Sequence, residues 1–235
     1  MKPVAIFRHA PTEGPGYFAT VLDRGGVPWR VIAIDAGEPV PADPRAFGGL
    51  AFMGGPMSVN DDLPWIAPVL QLIRDGVAAG VPVLGHCLGG QLMSKALGGA
   101  VSRNAVKEIG WGEVDVPDKP AAQRWFGHVR PSFVSFHWHG EAFTIPPGAE
   151  RVLTNRHCEN QAFALGPHLG MQCHIEMTPE MIEVWCETGA REISRSQSPA
   201  VQPVDAIRAG VGANLAGLRS AADGVYARWL EGLAA

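Results

Sequence analysis

The stretch VPVLGHCLGGQLMSKALGG, residues 81–99, constrains the fold more than any other part of the chain. An apolar run, Val81 to Leu84, leads at once into Gly85-His86-Cys87-Leu88-Gly89 and then into a helical pattern. A strand that turns this abruptly into a helix strains the backbone of the residue at the apex. Glycines two positions to either side remove the Cβ atoms that would hold strand and helix apart. Cysteine stands at that apex, and its sulfur would lie at a helix N-terminus, where the dipole and unpaired amides favour a thiolate. A buried structural cysteine after a strand is the competing reading of G-x-C-x-G taken alone. Gly85 to Gly90 also has the glycine spacing of a phosphate loop, but that loop requires lysine next, and Gln91 stands there.

One such strand-to-helix unit implies others. Val4 to Phe7, Trp29 to Ile34 and Leu50 to Met53 read as further buried strands, and apolar residues recur at helical spacing from Trp65 to Ile73, between Pro64 and Gly80. This alternation is the pattern of β-α-β units wound onto a parallel sheet. After Gly98-Gly99 the texture turns β-rich, with strands predicted at Ile109 to Val116, Phe133 to Trp138, Arg151 to Thr154, Gln161 to Leu165 and Leu169 to Cys173. The expected fold is α/β, a three-layer doubly wound and mostly parallel sheet with a smaller antiparallel β portion. A helix resumes near Pro179. Ser194 to Pro203, polar and with two prolines, reads as a connector to a closing helix bearing Val211, Leu215, Leu218, Val225, Trp229 and Leu230. Residues 1–193 are expected to form one domain, with 194–235 packing on it.

Composition excludes several classes of function. With 46% hydrophobic and 18% charged residues the chain can bury a full core. A net charge of −4 without a basic run leaves no footprint for nucleic acid or an anionic membrane. The first apolar run is cut off by Arg8, too soon for a signal-peptide core or a membrane span, so a cytoplasmic location is expected. Cys87, Cys158, Cys173 and Cys186 form no C-x-x-C pair, which predicts free thiols.

A cysteine nucleophile needs a base, and the base needs an orienting group. Residues 171–177 read MQCHIEM. In an extended segment His174 and Glu176 project to one face, so the carboxylate can fix the imidazole tautomer. Cys87, His174 and Glu176 thus form a candidate triad, although His-x-Glu alone also occurs at strand edges. Gly54-Gly55-Pro56 follows a strand directly, and its glycines can turn amides inward; Gly55 N–H and Leu88 N–H are the candidate oxyanion donors. His137, His139 and the His157-Cys158 pair invite a metal reading. No C-x-x-C or H-E-x-x-H set accompanies them, and neither a metal nor a cofactor is expected.

These elements, in this order, resemble the class I (triad) glutamine amidotransferases over most of the chain. GGPMSVND is similar to the family's oxyanion loop, GHCLGGQ to its G-x-C-x-G-x-Q motif and QCHIE to its Q-F-H-P-E motif. KEIGW, FHWHGE, CENQAF and YARWL resemble the stand-alone branch related to the glutaminase domain of GMP synthases, which includes γ-glutamyl peptidases. The resemblance implies the flavodoxin-like fold of that class and attack by the Cys87 thiolate on a small-molecule γ-glutamyl amide. It further implies an oxyanion held by Gly55 and Leu88, a leaving amine protonated by His174, and hydrolysis of the resulting thioester. Glu176 would orient His174, while Gly54, Gln91 and the backbone near Asn160 and Gln161 would contact the glutamyl group. Cys173 stands where the family has phenylalanine and Ile175 where it has proline. The synthases of the family use the released ammonia in an ATP-dependent domain. The chain is therefore expected to be either a self-sufficient γ-glutamyl hydrolase, which the apolar stripe of the closing helix favours, or a subunit delivering ammonia to a separate synthase partner such as GMP synthase. A non-catalytic, redox-sensing relative that keeps the elbow is the third reading, against which the late His-x-Glu argues.

Overall fold

The computed structural model describes residues 1–233. Strands β1 (Val4–Arg8), β2 (Trp29–Ala33), β3 (Gly49–Phe52) and β4 (Val83–His86) are linked by parallel pairing in the spatial order β2-β1-β3-β4. Helix α1 (Tyr17–Arg24) connects the first two, and α2 (Ile66–Ala78) connects β3 to β4. Their apolar runs are buried on both sides, as a parallel sheet covered by helices requires. Alternate residues of β1 divide between two cores: Val4 and Ile6 face the side holding α1, whereas Ala5 and Phe7 face the side holding α2.

The sheet continues past β4 through β9 (His168–Met171), which is parallel to β4, to β8 (Ala162–Leu165) and β7 (Glu150–Leu153), both added antiparallel. A second sheet pairs the long strands β5 (Val101–Asp115) and β6 (Ser132–Phe143) as an antiparallel ribbon. The fold is thus mixed α/β with a mostly parallel central sheet, as expected from the sequence. Helix α3 (Leu88–Ala96) packs beside this ribbon, α4 (Pro120–Phe126) lies between its strands in the chain, and α5 (Pro179–Arg195) follows β9. None of the described helices is long and apolar enough to cross a membrane.

Several elements differ from the sequence reading. The β4 strand begins and ends two residues later than Val81 to Leu84, because Gly85 and His86 still pair with Gly170 and Met171. The ribbon is longer than Ile109 to Val116 and Phe133 to Trp138, its outer ends carrying polar residues such as Ser102 and Arg103 that interrupt the apolar alternation. Helices α1 and α4, of 8 and 7 residues, are too short to display a helical period. The supposed connector is partly structured: α5 runs to Arg195, and Ala200–Val201 pairs with Glu108 and Ile109 as strand β10. Both ends of the Gln202 side chain bond the Trp111 backbone at 2.9 Å, supplying ladder bonds that composition does not reveal. Helix α6 (Val204–Leu230) starts directly after Pro203, where the connector is expected to end, and its Tyr226 and Trp229 pack on Phe18 of α1.

Close approach of α3 to the sheet depends on glycine. A Cβ on Gly89 would lie 2.0 Å from the Phe52 carbonyl oxygen, whereas one on Gly212, in α6, would meet nothing within 4 Å. Gly89→Ala is expected to destabilise the protein by about 3 kcal/mol or more, beyond ordinary overpacking because the obstacle is backbone. Gly212→Ala is expected to stabilise it by about 0.5–1 kcal/mol through helix propensity. Thermal unfolding of the two variants checks both signs.

Candidate active site

The turn from β4 into α3 places Cys87 at φ 50° and ψ −107°. It is the sole non-glycine residue at positive φ among those described. Two backbone bonds hold it there, Cys87 N–H to the Met171 carbonyl at 2.8 Å and Gln91 N–H to the Cys87 carbonyl at 3.0 Å. A Cβ on Gly85 would come within 2.5 Å of the Gly89 carbonyl carbon, which shows why the elbow needs glycine on its strand side. At the helix side, a Cβ on Gly90 would lie 2.4 Å from the Met171 oxygen. The same β9 strand that anchors the elbow then delivers the next residues to it.

After Met171 the chain leaves the sheet. Residues 172–177 are irregular, not the extended segment read from the sequence, so His174 and Glu176 do not meet by sharing a strand face. A single bridge to β6 fixes the position of His174, whose N–H donates to the Phe136 carbonyl at 2.8 Å while its carbonyl accepts from Phe136 N–H at 3.3 Å. From there the imidazole Nδ1 lies 2.6 Å from Glu176 Oε1, with both side chains buried. Trp185 packs edge-on against the ring at 4.9 Å. Burial alone would push His174 down and Glu176 up, but each holds the other charged. The imidazole is held well above its usual value by the Glu176 carboxylate and the Cys87 sulfur. Against its burial, Glu176 is held at about 2 by His174 and by His86, whose Nε2 stands 3.8 Å from Glu176 Oε2. The remaining imidazole nitrogen, His174 Nε2, is buried without a hydrogen-bond partner among the described residues.

Cys87, His174, Gly55 and Gln91 line one cavity of about 800 Å³. Among the described residues, neither Gly55 N–H nor Leu88 N–H meets an acceptor. Leu88 is the first residue of α3, where helix geometry leaves amides unpaired. Gly54 is tightly enclosed: a Cβ there would lie 2.5 Å from Glu13 Oε2 and 3.3 Å from His174 Cε1.

The family model for class-I glutamine amidotransferases matches residues 22–183. The chain belongs to this family. Among solved structures, a glutamine amidotransferase from Methylobacillus flagellatus is 44% identical with a TM-score of 0.97, covering 100% of this chain and 96% of that one. The glutamine amidotransferase-like protein YfeJ of Salmonella typhimurium is 29% identical over 197 residues, 80% of this chain and 82% of that protein. The glutamine-hydrolysing GMP synthase subunit of Sulfolobus acidocaldarius is 30% identical over 146 residues, 60% of this chain and 74% of that polypeptide.

In this amidotransferase, Gln91 Nε2 donates to Gln172 Oε1 at 3.1 Å and reaches the Glu141 carbonyl at 3.4 Å, while Gln172 Nε2 lies 3.5 Å from Cys87 Sγ. The Cys87 thiol in turn faces the Trp138 carbonyl at 3.8 Å. Asn160 and Gln161 are not among the residues lining the cavity. Asn160 accepts from Arg151 Nε at 2.9 Å and donates to the Phe143 carbonyl at 3.0 Å, and Gln161 Nε2 donates to Glu108 at 2.9 Å. Strand β6 occupies the cavity wall with Trp138, His139, Gly140 and Glu141. Sequence reasoning singles out FHWHGE without giving it a place, and it misses Glu13, Trp185 and Gln172. Gln172 lies inside the QCHIE motif, whereas nothing in PTEGPG marks Glu13. Withdrawal from water pushes the Glu13 carboxyl up to about 7 at the cavity lip. Glu108, His137 and His139 form the one cluster of potential metal ligands among the described residues.

The pH dependence of the His174–Glu176 pair follows from the two shifts. Glu176, lowered from 4.5 to about 2, contributes stability that is present above pH 4.5 and lost as the pH falls towards 2. His174, raised above 6.5, contributes stability that is complete below 6.5 and lost as the pH climbs through its raised value. The stability gap between the native chain and Glu176→Gln should therefore be widest between about pH 4.5 and 6.5, as denaturant unfolding across pH will report. NMR of the His174 ring should show its pKa falling in Glu176→Gln; an unchanged value would contradict the pairing.

Proposed function

We propose that this amidotransferase hydrolyses a γ-glutamyl amide through a thioester on Cys87. The observation that carries the reading is the convergence, in one cavity, of a strained cysteine apex with a buried imidazolium–carboxylate pair. The Cys87 sulfur attacks the γ-carbonyl carbon as the thiolate, its proton already on His174, and the carbonyl oxygen, now an anion, is held by the N–H groups of Gly55 and Leu88. The C–N bond breaks as His174 gives its Nε2 proton to the leaving nitrogen, releasing the amine. His174, neutral at that point, takes a proton from water. The resulting hydroxide displaces the sulfur, and glutamate leaves with Cys87 and His174 restored. Glu176 holds the ring throughout and supports its positive charge.

Gln91 and the backbone of Gly140 and Glu141 lie where they can receive the glutamyl end, on the evidence of the contacts between Gln91 and the Glu141 carbonyl. Two features support a leaving amine larger than ammonia. The cavity, at about 800 Å³, is in the range that takes drug-sized ligands, and its wall beyond the glutamyl end extends to Trp138, Thr188 and Glu192. Glu13, with a carboxyl that titrates near neutrality beside His174, is placed to accept a proton from or pair with that amine. The second reading, a glutaminase subunit that passes ammonia to a synthase, is favoured by the similarity to the Sulfolobus GMP synthase polypeptide.

Glutamate and amine release from glutamine, glutathione and a panel of γ-glutamyl dipeptides separates these readings. The hydrolase reading expects peptide turnover well above that of glutamine, lowered on the order of a thousandfold or more in Cys87→Ala. His174→Ala is expected to lose roughly 10²–10⁴-fold. Turnover of glutamine alone, rising on addition of a synthase partner, would give the subunit reading instead. A chain in which Cys87 oxidises but does not react with a glutamine analogue would contradict both. In the pH profile of kcat/KM, an inflection near pH 7 is expected for the native chain and is expected to vanish in Glu13→Gln.

A further inference from the structure

Sequence spacing offers His137 and His139 no partner set for a metal; the fold supplies one. In the β5–β6 ribbon Glu108 stands opposite His139, and Gly110 opposite His137. The register shifts between Arg103 and Glu108, an irregularity of the kind that re-aims a side chain. Glu108 is turned inward, and all three side chains are at least 95% buried. One ring nitrogen from each histidine and a Glu108 carboxylate oxygen lie within 4.8 Å of one another.

The proton inventory of these groups decides what they are suited to hold. His137 Nε2 is 3.2 Å from the Gly112 carbonyl, so that nitrogen carries the proton and donates. Its Nδ1 is then a bare lone pair, buried with no partner among the described residues. His139 Nδ1 is 3.1 Å from the Glu141 carbonyl and likewise must donate. Its Nε2 points into the same cluster, 3.1 Å from Glu108 Oε2 but out of line for a hydrogen bond. Glu108 is steadied from outside by Asn155 at 2.7 Å and Gln161 at 2.9 Å. Two imidazoles, each with one nitrogen fixed by a backbone carbonyl and the other left without a partner in a buried cluster with one carboxylate, have the outer hydrogen bonding that orients metal-binding histidines. A second proton on His139 would face Glu108 but leave the buried His137 Nδ1 acceptor without a partner. A cation satisfies all three groups.

We propose that Glu108, His137 and His139 bind a divalent transition-metal ion, with zinc(II) the best fit to two imidazoles and a carboxylate. A cavity of about 360 Å³ reaches Glu108 and His137 past Gly112, Asn155 and His157, giving the ion a route in and leaving a coordination position open to it. The site ties β5 to β6 behind the catalytic cavity. His139 lines that cavity, and the Glu141 carbonyl it holds is the one Gln91 also reaches. The ion would therefore position the wall against which the substrate rests. The binding claim itself does not depend on the hydrolase reading.

The test is titration of the metal-stripped chain of residues 1–235 with Zn²⁺ by calorimetry and with Co²⁺ by visible absorption. Cys87→Ser serves as the background, so that a catalytic thiolate cannot contribute. One equivalent per chain is expected, with the Co²⁺ spectrum of a nitrogen–oxygen site and no thiolate charge-transfer band. Affinity should fall on the order of a hundredfold or more in Glu108→Gln and in His137→Gln. Circular dichroism establishes that each variant is folded, and the second variant stands in should one fail to fold. A folded chain that takes up neither ion at micromolar concentration overturns the proposal. So does an equivalent of metal that persists in both variants.

Discussion

A residue other than glycine at φ 50° costs on the order of 1–3 kcal/mol, and Cys87 is held there by everything packed around it. The elbow persists because β4 ends inside the sheet, α3 starts directly against β3, and β9 pairs alongside to accept the Cys87 N–H. Each of these contacts demands a missing side chain, which is why Gly85, Gly89 and Gly90 cluster at the turn. The strain presents the sulfur at the C-terminal edge of a parallel sheet, the edge at which α/β folds place their sites. Shifting α3 by the width of one methyl group would move the Cys87 sulfur relative to His174 and the cavity they share.

The second constraint is electrostatic. His174 and Glu176 are buried charges, and either alone would be strongly destabilising in that position. Together they keep an imidazolium next to the Cys87 sulfur, and further contacts fix where they sit. The β6 bridge at Phe136 holds the backbone of His174, and Trp185 of α5 closes over the ring. Tyr226, from α6, bonds His86 Nε2 at 3.0 Å, and His86 in turn faces Glu176. Residues from β4, β6, α5 and α6 thus converge on a pair that lies two positions apart in the chain. The closing helix contributes to the site through Tyr226 and not only through its apolar stripe.

The parts of this arrangement legible in the sequence are those where one short segment carries both the structure and the chemistry. The apolar run, the glycines and the cysteine of residues 81–91 specify strand, turn and helix together, and QCHIE carries both His174 and the Glu176 carboxylate it meets. A shared strand face does not explain that pair; a bend after Met171 brings the two side chains together, and no alternation pattern encodes a bend. Resemblance assigns the backbone near Asn160 and Gln161 to the substrate; their side-chain amides are engaged by Arg151, Phe143 and Glu108. The β6 wall is present in the sequence as FHWHGE but cannot be placed from it, because which face a ribbon turns to a cavity depends on register with β5. Glu13 is invisible for a similar reason: a carboxylate in a glycine- and proline-rich loop reads as solvated until the fold withdraws it from water.

The central claim is that Cys87 becomes acylated by the glutamyl group during turnover. It is tested most directly by acid-quenching the chain within the first turnovers on its best γ-glutamyl substrate and measuring intact and peptide masses. The account predicts a single γ-glutamyl adduct on the peptide containing Cys87, labile to hydroxylamine as a thioester should be and missing from Cys87→Ser. Turnover that proceeds with no adduct at Cys87, or that survives in Cys87→Ser, would contradict it.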